Sequence, residues 1–328
     1  MIKPAHWLLG AFLLPTLIAC SRDDGSANGS ATKVPSAADL TFLADNAIWR
    51  GERKERLLQP DGWTSLVGLH WLELKAHYIG SGPGSGIKLA VGPAKLGMVQ
   101  QQGERVYFTP ERGLSLTLNG APLRGRVELV SDQGEVPGVI GFDEGKGALS
   151  LIRRGQRFGL RLKHADASSR LNFAGLEYWP VEKDWNIKGK FVAHPAGKTM
   201  PIVDIVGTTS DVPNPGAVEF ERDGKTYRIE AMGEPNGELF LVLADRTSGH
   251  GSYPTGRFMD IPAADAAGNV ELDFNRAYSP PCAFTPFATC PLPPPENRLD
   301  LAITAGEKTY SYSKAAASAG AAINAATN

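Results

Sequence analysis

The sequence predicts a mainly β protein. It has two β units, a small N-terminal β-sandwich and a larger C-terminal antiparallel β-sandwich or barrel, with one N-terminal α-helix. Three observations predict it. Helical periodicity occurs once in the folded part of the chain. Elsewhere, short segments alternate apolar and polar residues, the period of a half-buried strand. Turn signals separate those segments, and the 328 residues include 37 Gly and 24 Pro.

Composition narrows the class. Hydrophobic residues make up 42% and charged residues 21%, a globular balance rather than a disordered one. There are 34 Lys+Arg against 35 Asp+Glu, and no long basic run, so the chain carries no nucleic-acid footprint. Three cysteines is an odd count that needs an explanation.

The first cysteine is explained by the N-terminus. A short region with one Lys precedes the apolar stretch Trp7 to Ala19. That stretch is too short to span a bilayer as a helix and fits a secretory signal over residues 1–19. Its end, Leu17-Ile18-Ala19-Cys20, resembles the bacterial lipobox. The resemblance implies cleavage before Cys20 and acylation of Cys20, with multiple chains giving stable membrane anchoring. Cleavage removes Lys3 and no acid, so 34 cations become 33 against 35 acids, a net −2. Ser21, where an Asp would favour the inner membrane, points to the outer membrane. Residues 20–38 are rich in Ser, Gly, Ala, Asp and Asn and read as a flexible tether with a reach of roughly 20–25 Å.

The folded body starts with a helix expected over residues 38–57. Ser36 and Asp39 have capping-box spacing, and Leu40, Leu43, Ala47 and Ile48 recur at helical intervals. Pro60-Asp61-Gly62 ends it. Ser65 to Leu72 then reads as a buried strand. Alternating segments follow at 87–91, 105–108 and 114–118. Asn119-Gly120, Asp223-Gly224 and Asn236-Gly237 are hairpin signals, the last two within a meander over 217–245. The polar, Gly-rich stretch Asp132 to Gly147 marks a boundary between units of residues 39–145 and 146–313. The Ala-rich tail 314–328 reads as disordered.

Two places can carry chemistry. Ile152 to Lys163 reads as one strand with Phe158, Leu160 and Leu162 on one face and Arg157, Arg161 and Lys163 on the other, in parity with Arg153. Such a row can hold a carboxylate or phosphate, or be an ordinary outer face paired with acids. Tyr178, Trp179 and Trp185 read as core, or as the wall of a cleft.

The second place is the C-terminal run. It passes through Asp245, Tyr253 and Arg257, then Asp273, Asn275, Arg276 and Tyr278, then the Pro-rich loop 280–295 with Cys282 and Cys290, and ends at Asn297-Arg298. These residues closely resemble the C-terminal signature of domain-of-unknown-function family 1684. Gln59-Pro60-Asp61-Gly62-Trp63 through Val67-Gly68-Leu69-His70-Trp71-Leu72 resembles its N-terminal signature. The likeness covers about residues 45–310. Ser279 stands where Asn is common in that signature. The resemblance implies a fold unit and a candidate site, and no reaction.

In an oxidising compartment Cys282 and Cys290 are expected to form a disulfide, worth roughly 2.5 kcal/mol for so small a ring. A zinc site does not fit the spacing, and a thiolate nucleophile would need a base such as His250. The spacing of His70, Glu73 and His77 suits a metal only on a helix, and the segment reads as a strand. No nucleophile elbow, P-loop or dinucleotide fingerprint occurs, so no cofactor and no metal are expected.

Two functions follow as expectations. One is a non-catalytic envelope lipoprotein, facing the periplasm, that binds a small anionic or glycan-like ligand or an envelope partner. The other is a hydrolase using Asp245 or Asp273 with Arg257 and Arg276 around an anionic substrate. Convergence of these residues in a concave pocket is the test. On the anchoring reading, Cys20→Ala releases the protein from the membrane fraction. A variant that still partitions with membranes contradicts it.

Overall fold

Helix α1 spans Ala37–Leu58 and ends at the expected Pro60-Asp61-Gly62 turn. The computed structural model describes residues 36–234 and 237–311. The signal segment, Cys20, all but the last residues of the tether, Asn236 and the tail 314–328 lie outside the described residues.

The side of α1 that meets the body is not its apolar stripe. Asn46, Arg53 and Leu57 are buried, while Leu40, Leu43 and Ile48 are 56%, 41% and 60% exposed. The seam is polar. Asn46 Nδ2 donates to Asp273 Oδ2 at 3.2 Å, and Arg50 Nη2 to the Trp179 carbonyl at 3.0 Å. Arg53 Nε donates to Glu307 Oε1 at 2.8 Å. Charge-assisted bonds to groups far along the chain fix the rotation of the helix, so periodicity alone misidentifies its inner face.

The N-terminal strands are β1 (Leu66–Trp71), β2 (Ala76–Gly80), β3 (Ile87–Lys88), β4 (Gly97–Gln102), β5 (Arg105–Pro110), β6 (Thr117–Leu118), β7 (Ala121–Pro122), β8 (Val127–Leu129), β9 (Val139–Phe142), β10 (Gly147–Arg154) and β11 (Arg157–His164). They form two sheets, in the orders β1-β11-β10-β9-β6-β7 and β3-β2-β4-β5-β8. Ile79, Val99 and Phe108 of the second pack on Ile140, Leu149, Leu160 and Leu162 of the first. This is a sandwich core, built from the alternate residues of each strand.

Two expectations change here. The boundary at 145/146 falls inside a sheet: Gly147 pairs with Phe142, and Arg161 pairs with Leu69. The stretch Asp132 to Gly147 is not a linker: it contains β9 and then a tight turn with Asp143, Glu144 and Gly145 at φ of 49°, 57° and 88°. Likewise, residues 152–163 are not one strand. Gly155-Gln156 turns the chain, Arg154 pairs with Arg157, and Arg153 lies on the other strand of the hairpin.

A single helical turn, α2 (Ser168–Leu171), leads into the C-terminal strands: β12 (Asn186–Ala193), β13 (Thr199–Val203), β14 (Thr209–Pro213), β15 (Gly216–Arg222), β16 (Lys225–Ala231), β17 (Leu239–Leu243), β18 (Arg257–Ile261) and β19 (Asn269–Asp273). The order β16-β15-β12-β19 makes a four-stranded sheet, and β13-β14 and β17-β18 are pairs. The Asp223-Gly224 hairpin forms with φ of 52° and 73°, and a Met232–Phe240 bridge continues the meander into β17.

The β17–β18 pair is covered on both sides. Leu241, Leu243 and Met259 join Val218, Phe220 and Leu272 in one core. Val242 and Phe258 join Leu66 of β1, Met200, Ile202 and Cys290 in another. The Pro-rich loop completes that second core. Cys282 and Cys290 form a disulfide with Cα atoms 6.2 Å apart. Thr285 Oγ1 donates to the Leu66 carbonyl at 3.0 Å, and Leu292 N to the Val203 carbonyl at 2.8 Å. Thiol labelling of the oxidised protein is therefore expected to miss both Cys282 and Cys290. Reaction of both without reductant contradicts the bridge.

Candidate functional site

The acidic and basic residues of the C-terminal run do not converge on one cleft. Asp245 and Arg257 form an ion pair at 2.7 Å with both side chains 0% exposed. Asp245 Oδ1 also accepts from Thr247 N at 2.7 Å and Ile303 N at 3.2 Å. Arg257 donates to the Ala305 carbonyl and, at 3.0 Å, to that of Ile303. The pair pins the segment 303–305 against β18 and offers nothing to a substrate. A hydrolase built on Asp245 and Arg257 has no access to water.

The other candidates are also largely committed. Asn275 is buried; its Oδ1 accepts from Glu182 N at 3.0 Å and its Nδ2 donates to the Glu182 carbonyl at 2.8 Å. Asp273 caps the turn that starts there, and Arg276 Nε lies 3.2 Å from its Oδ2. Asn297 is buried and joins two strands, with Oδ1 accepting from Glu230 N at 2.7 Å and Nδ2 donating to the Val242 carbonyl at 2.9 Å. Arg298 is exposed, and only its backbone bridges Ala244. Tyr253 is half-buried against Leu57 and Phe284, and burial raises the pKa of its hydroxyl. Buried loop backbone needs such partners, and these side chains supply them.

Tyr278 is the exception. It lines a pocket of about 560 Å³ with Arg53 and Arg56 of α1, Asp61 and Trp63 after it, Lys163 of β11 and Asp260 of β18. Its hydroxyl donates to Asp260 Oδ2 at 2.8 Å. Burial, and the nearby Asp260 charge, raise its pKa far above the ordinary tyrosine range. It is a neutral donor at any physiological pH. The Arg53 guanidinium lies 4.6 Å from the ring centroid, and Phe258 meets the ring edge-on at 5.9 Å.

Of the cation row, Lys163 lines this pocket, and its ammonium donates to the Asp61 carbonyl. Phe158, Leu160 and Leu162 point into the sandwich core, and Arg157, Arg161 and Lys163 face outward. That outer face carries tryptophan. Arg157 lies 4.0 Å from the Trp71 ring, and Arg161 and Lys163 each 5.4 Å from Trp63. Gly159 opposite Trp71 makes this approach possible: a Cβ there would sit 3.0 Å from the indole. Among the described residues neither Arg161 nor Lys163 forms a salt bridge, and Arg161 Nε is buried without a hydrogen-bond partner. Burial lowers the pKa of both. Aromatic faces compensate only part of the lost hydration of a cation.

Reading the sequence for chemistry missed Arg53, Arg56, Trp63 and Asp260. The Trp63 signal was present, because Gln59, Asp61 and Trp63 belong to the N-terminal signature motif and meet Tyr278 of the C-terminal one. Arg53 had no such signal. The aromatics around 180 divide: Trp185 is 4% exposed in the core, and Tyr178 lies under Arg50 with 4.1 Å between Cζ and the ring centroid.

Two substitutions separate architecture from pocket. Asp245→Ala is expected to lower stability by about 3–5 kcal/mol, because it strands a buried guanidinium. Tyr278→Phe keeps the ring and is expected to cost about 1 kcal/mol. Urea unfolding of the two variants measures both.

The family model described as Protein of unknown function (DUF1684) matches residues 171–308. The match includes the C-terminal run and starts after the 59–72 motif. No curated protein matches the chain. The solution structure of an uncharacterized protein of Haloarcula marismortui is 31% identical, over 43% of this chain and 79% of that one, with a TM-score of 0.36. Through residues 171–308, the chain belongs to the DUF1684 family.

Proposed function

We propose that this protein is a lipoprotein of the bacterial cell envelope, anchored through Cys20, that binds a small anionic or glycan-like ligand in the Trp63–Tyr278 pocket. One observation carries the ligand class. Arg161 and Lys163 are half-buried against Trp63 with no salt bridge among the described residues, and Lys163 lines the pocket. An arriving carboxylate or phosphate supplies the missing anion by charge-assisted bonds. Tyr278 and Trp63 offer the flat apolar faces on which a ring packs.

The anchor rests on the lipobox-like Leu17-Ile18-Ala19-Cys20 and the signal-like stretch before it. Ser21 favours the outer membrane, with the body in the periplasm. The pocket is read as a binding site in this proposal, because Asp245 and Arg257, which the hydrolase reading needs, are buried and do not line it.

The experiment is a thermal-shift screen of anionic probes: inorganic phosphate, glucuronate, and sugar phosphates. A probe at 100 times its Kd raises stability by about 2.7 kcal/mol. Lys163→Met is expected to abolish the shift. The pH dependence has a defined sign. Burial lowers the Lys163 pKa in the free protein, the Asp61 charge opposes this, and the Arg161 charge adds to it. A bound anion favours the charged ammonium, so binding takes up a proton. Affinity therefore holds while Lys163 is charged and falls as pH rises through its lowered value. Binding that is unaffected by Lys163→Met refutes the site.

A further inference from the structure

Among the described residues, the apolar stripe of α1 has no occupant. Leu40, Leu43, Ala44, Ala47, Ile48 and Gly51 are all exposed and fall on one side of the helix, away from the buried Asn46, Arg53 and Leu57. Gly51 underlines the vacancy on that side, because a Cβ there would meet nothing within 4 Å. An exposed apolar helix face beside a polar docking seam is not explained by folding, since the seam already fixes the helix.

We infer that this face of α1 docks onto the lipid bilayer. The inference rests on the anchoring reading. Residues 21–36 separate Cys20 from the first residue of α1, and a Gly/Ser-rich link of that length has a reach of about 20–24 Å. A lipidated Cys20 thus holds the apolar face at high effective concentration beside the membrane, so a weak surface contact suffices. The stripe occupies the first turns of the helix, the part joined most directly to the anchor. It has the form of an interfacial helix, with apolar residues on one side and charges at the borders.

A second copy of the chain fits less well. A stable dimer buries roughly 800 Å² per partner, and one helix bearing three large apolar side chains falls far short. Lipid charge is not part of the recognition. Asp45 and Glu52 border the Ile48 side, and Lys54 and Glu55, one of each sign, follow the stripe at its C-terminal end, so the contact is apolar rather than a basic patch on anionic lipid.

The test uses the mature, lipidated protein in vesicles of phosphatidylcholine and phosphatidylethanolamine. An environment-sensitive fluorophore is placed at Leu43→Cys, and at the exposed Ser210→Cys as a control. The emission at position 43 is expected to shift to the blue on vesicles and to be quenched by brominated acyl chains, with neither change at position 210. Adding Leu40→Ser and Ile48→Ser is expected to remove the shift while the protein still floats with the vesicles. Flotation with an unshifted label leaves the anchor standing and overturns the docking. A blue shift without bromolipid quenching reports a protein contact and also overturns it. Failure to float refutes the anchor, and the docking falls with it.

Discussion

The Arg53–Glu307 ion pair is the contact on which the pocket depends. Its side chains are 9% and 0% exposed. Glu307 uses both oxygens, one for Arg53 Nε and one for the Ser279 amide at 2.8 Å. Arg53 returns a bond to the Ser279 carbonyl at 2.9 Å. Residues separated by more than two hundred positions are thereby clamped around Ser279, the residue that follows Tyr278. The clamp sets the Tyr278 ring against the guanidinium and brings the end of α1 over the pocket. A buried pair of this kind contributes position more than stability, since burial of both charges offsets much of their attraction.

Polar contacts of the same type recur wherever irregular chain meets the body. Asp245 with Arg257 secures the 303–305 segment, Asn297 stitches β16 to β17, and Asn275 holds the Glu182 peptide. Each satisfies buried backbone groups that no sheet ladder reaches. The C-terminal run is rich in polar side chains largely for this reason. Arg161 and Lys163 form no salt bridge among the described residues, with Lys163 Nζ donating to the Asp61 carbonyl, and on the proposed reading this leaves Lys163 able to draw an anion into the pocket.

Much of the fold was legible in the sequence, because it rests on local rules. The α1 span, the β1 strand and the Asn119-Gly120 and Asp223-Gly224 turns follow from periodicity and from the need for positive φ. The Gly155-Gln156 turn was not legible, since a Gly-Gln pair is a weak hairpin signal beside a continuous cation pattern. The inner face of α1 was hidden for a different reason. Arg53 finds its partner 254 residues away, and no local pattern encodes that. Of the site, Tyr278 and Trp63 lie in recognisable motifs. Asp245, Arg257, Asn275 and Asn297 were equally visible, and sequence cannot separate a residue that binds a ligand from one that binds its own backbone.

Native-state hydrogen exchange of the Glu307→Gln variant tests the clamp most directly. The account predicts that amides of α1 lose protection while those of β10–β11 and β15–β16 keep theirs, because the helix is held to the body through Arg53. Unchanged protection of α1, or a uniform loss across both sheets, would contradict it.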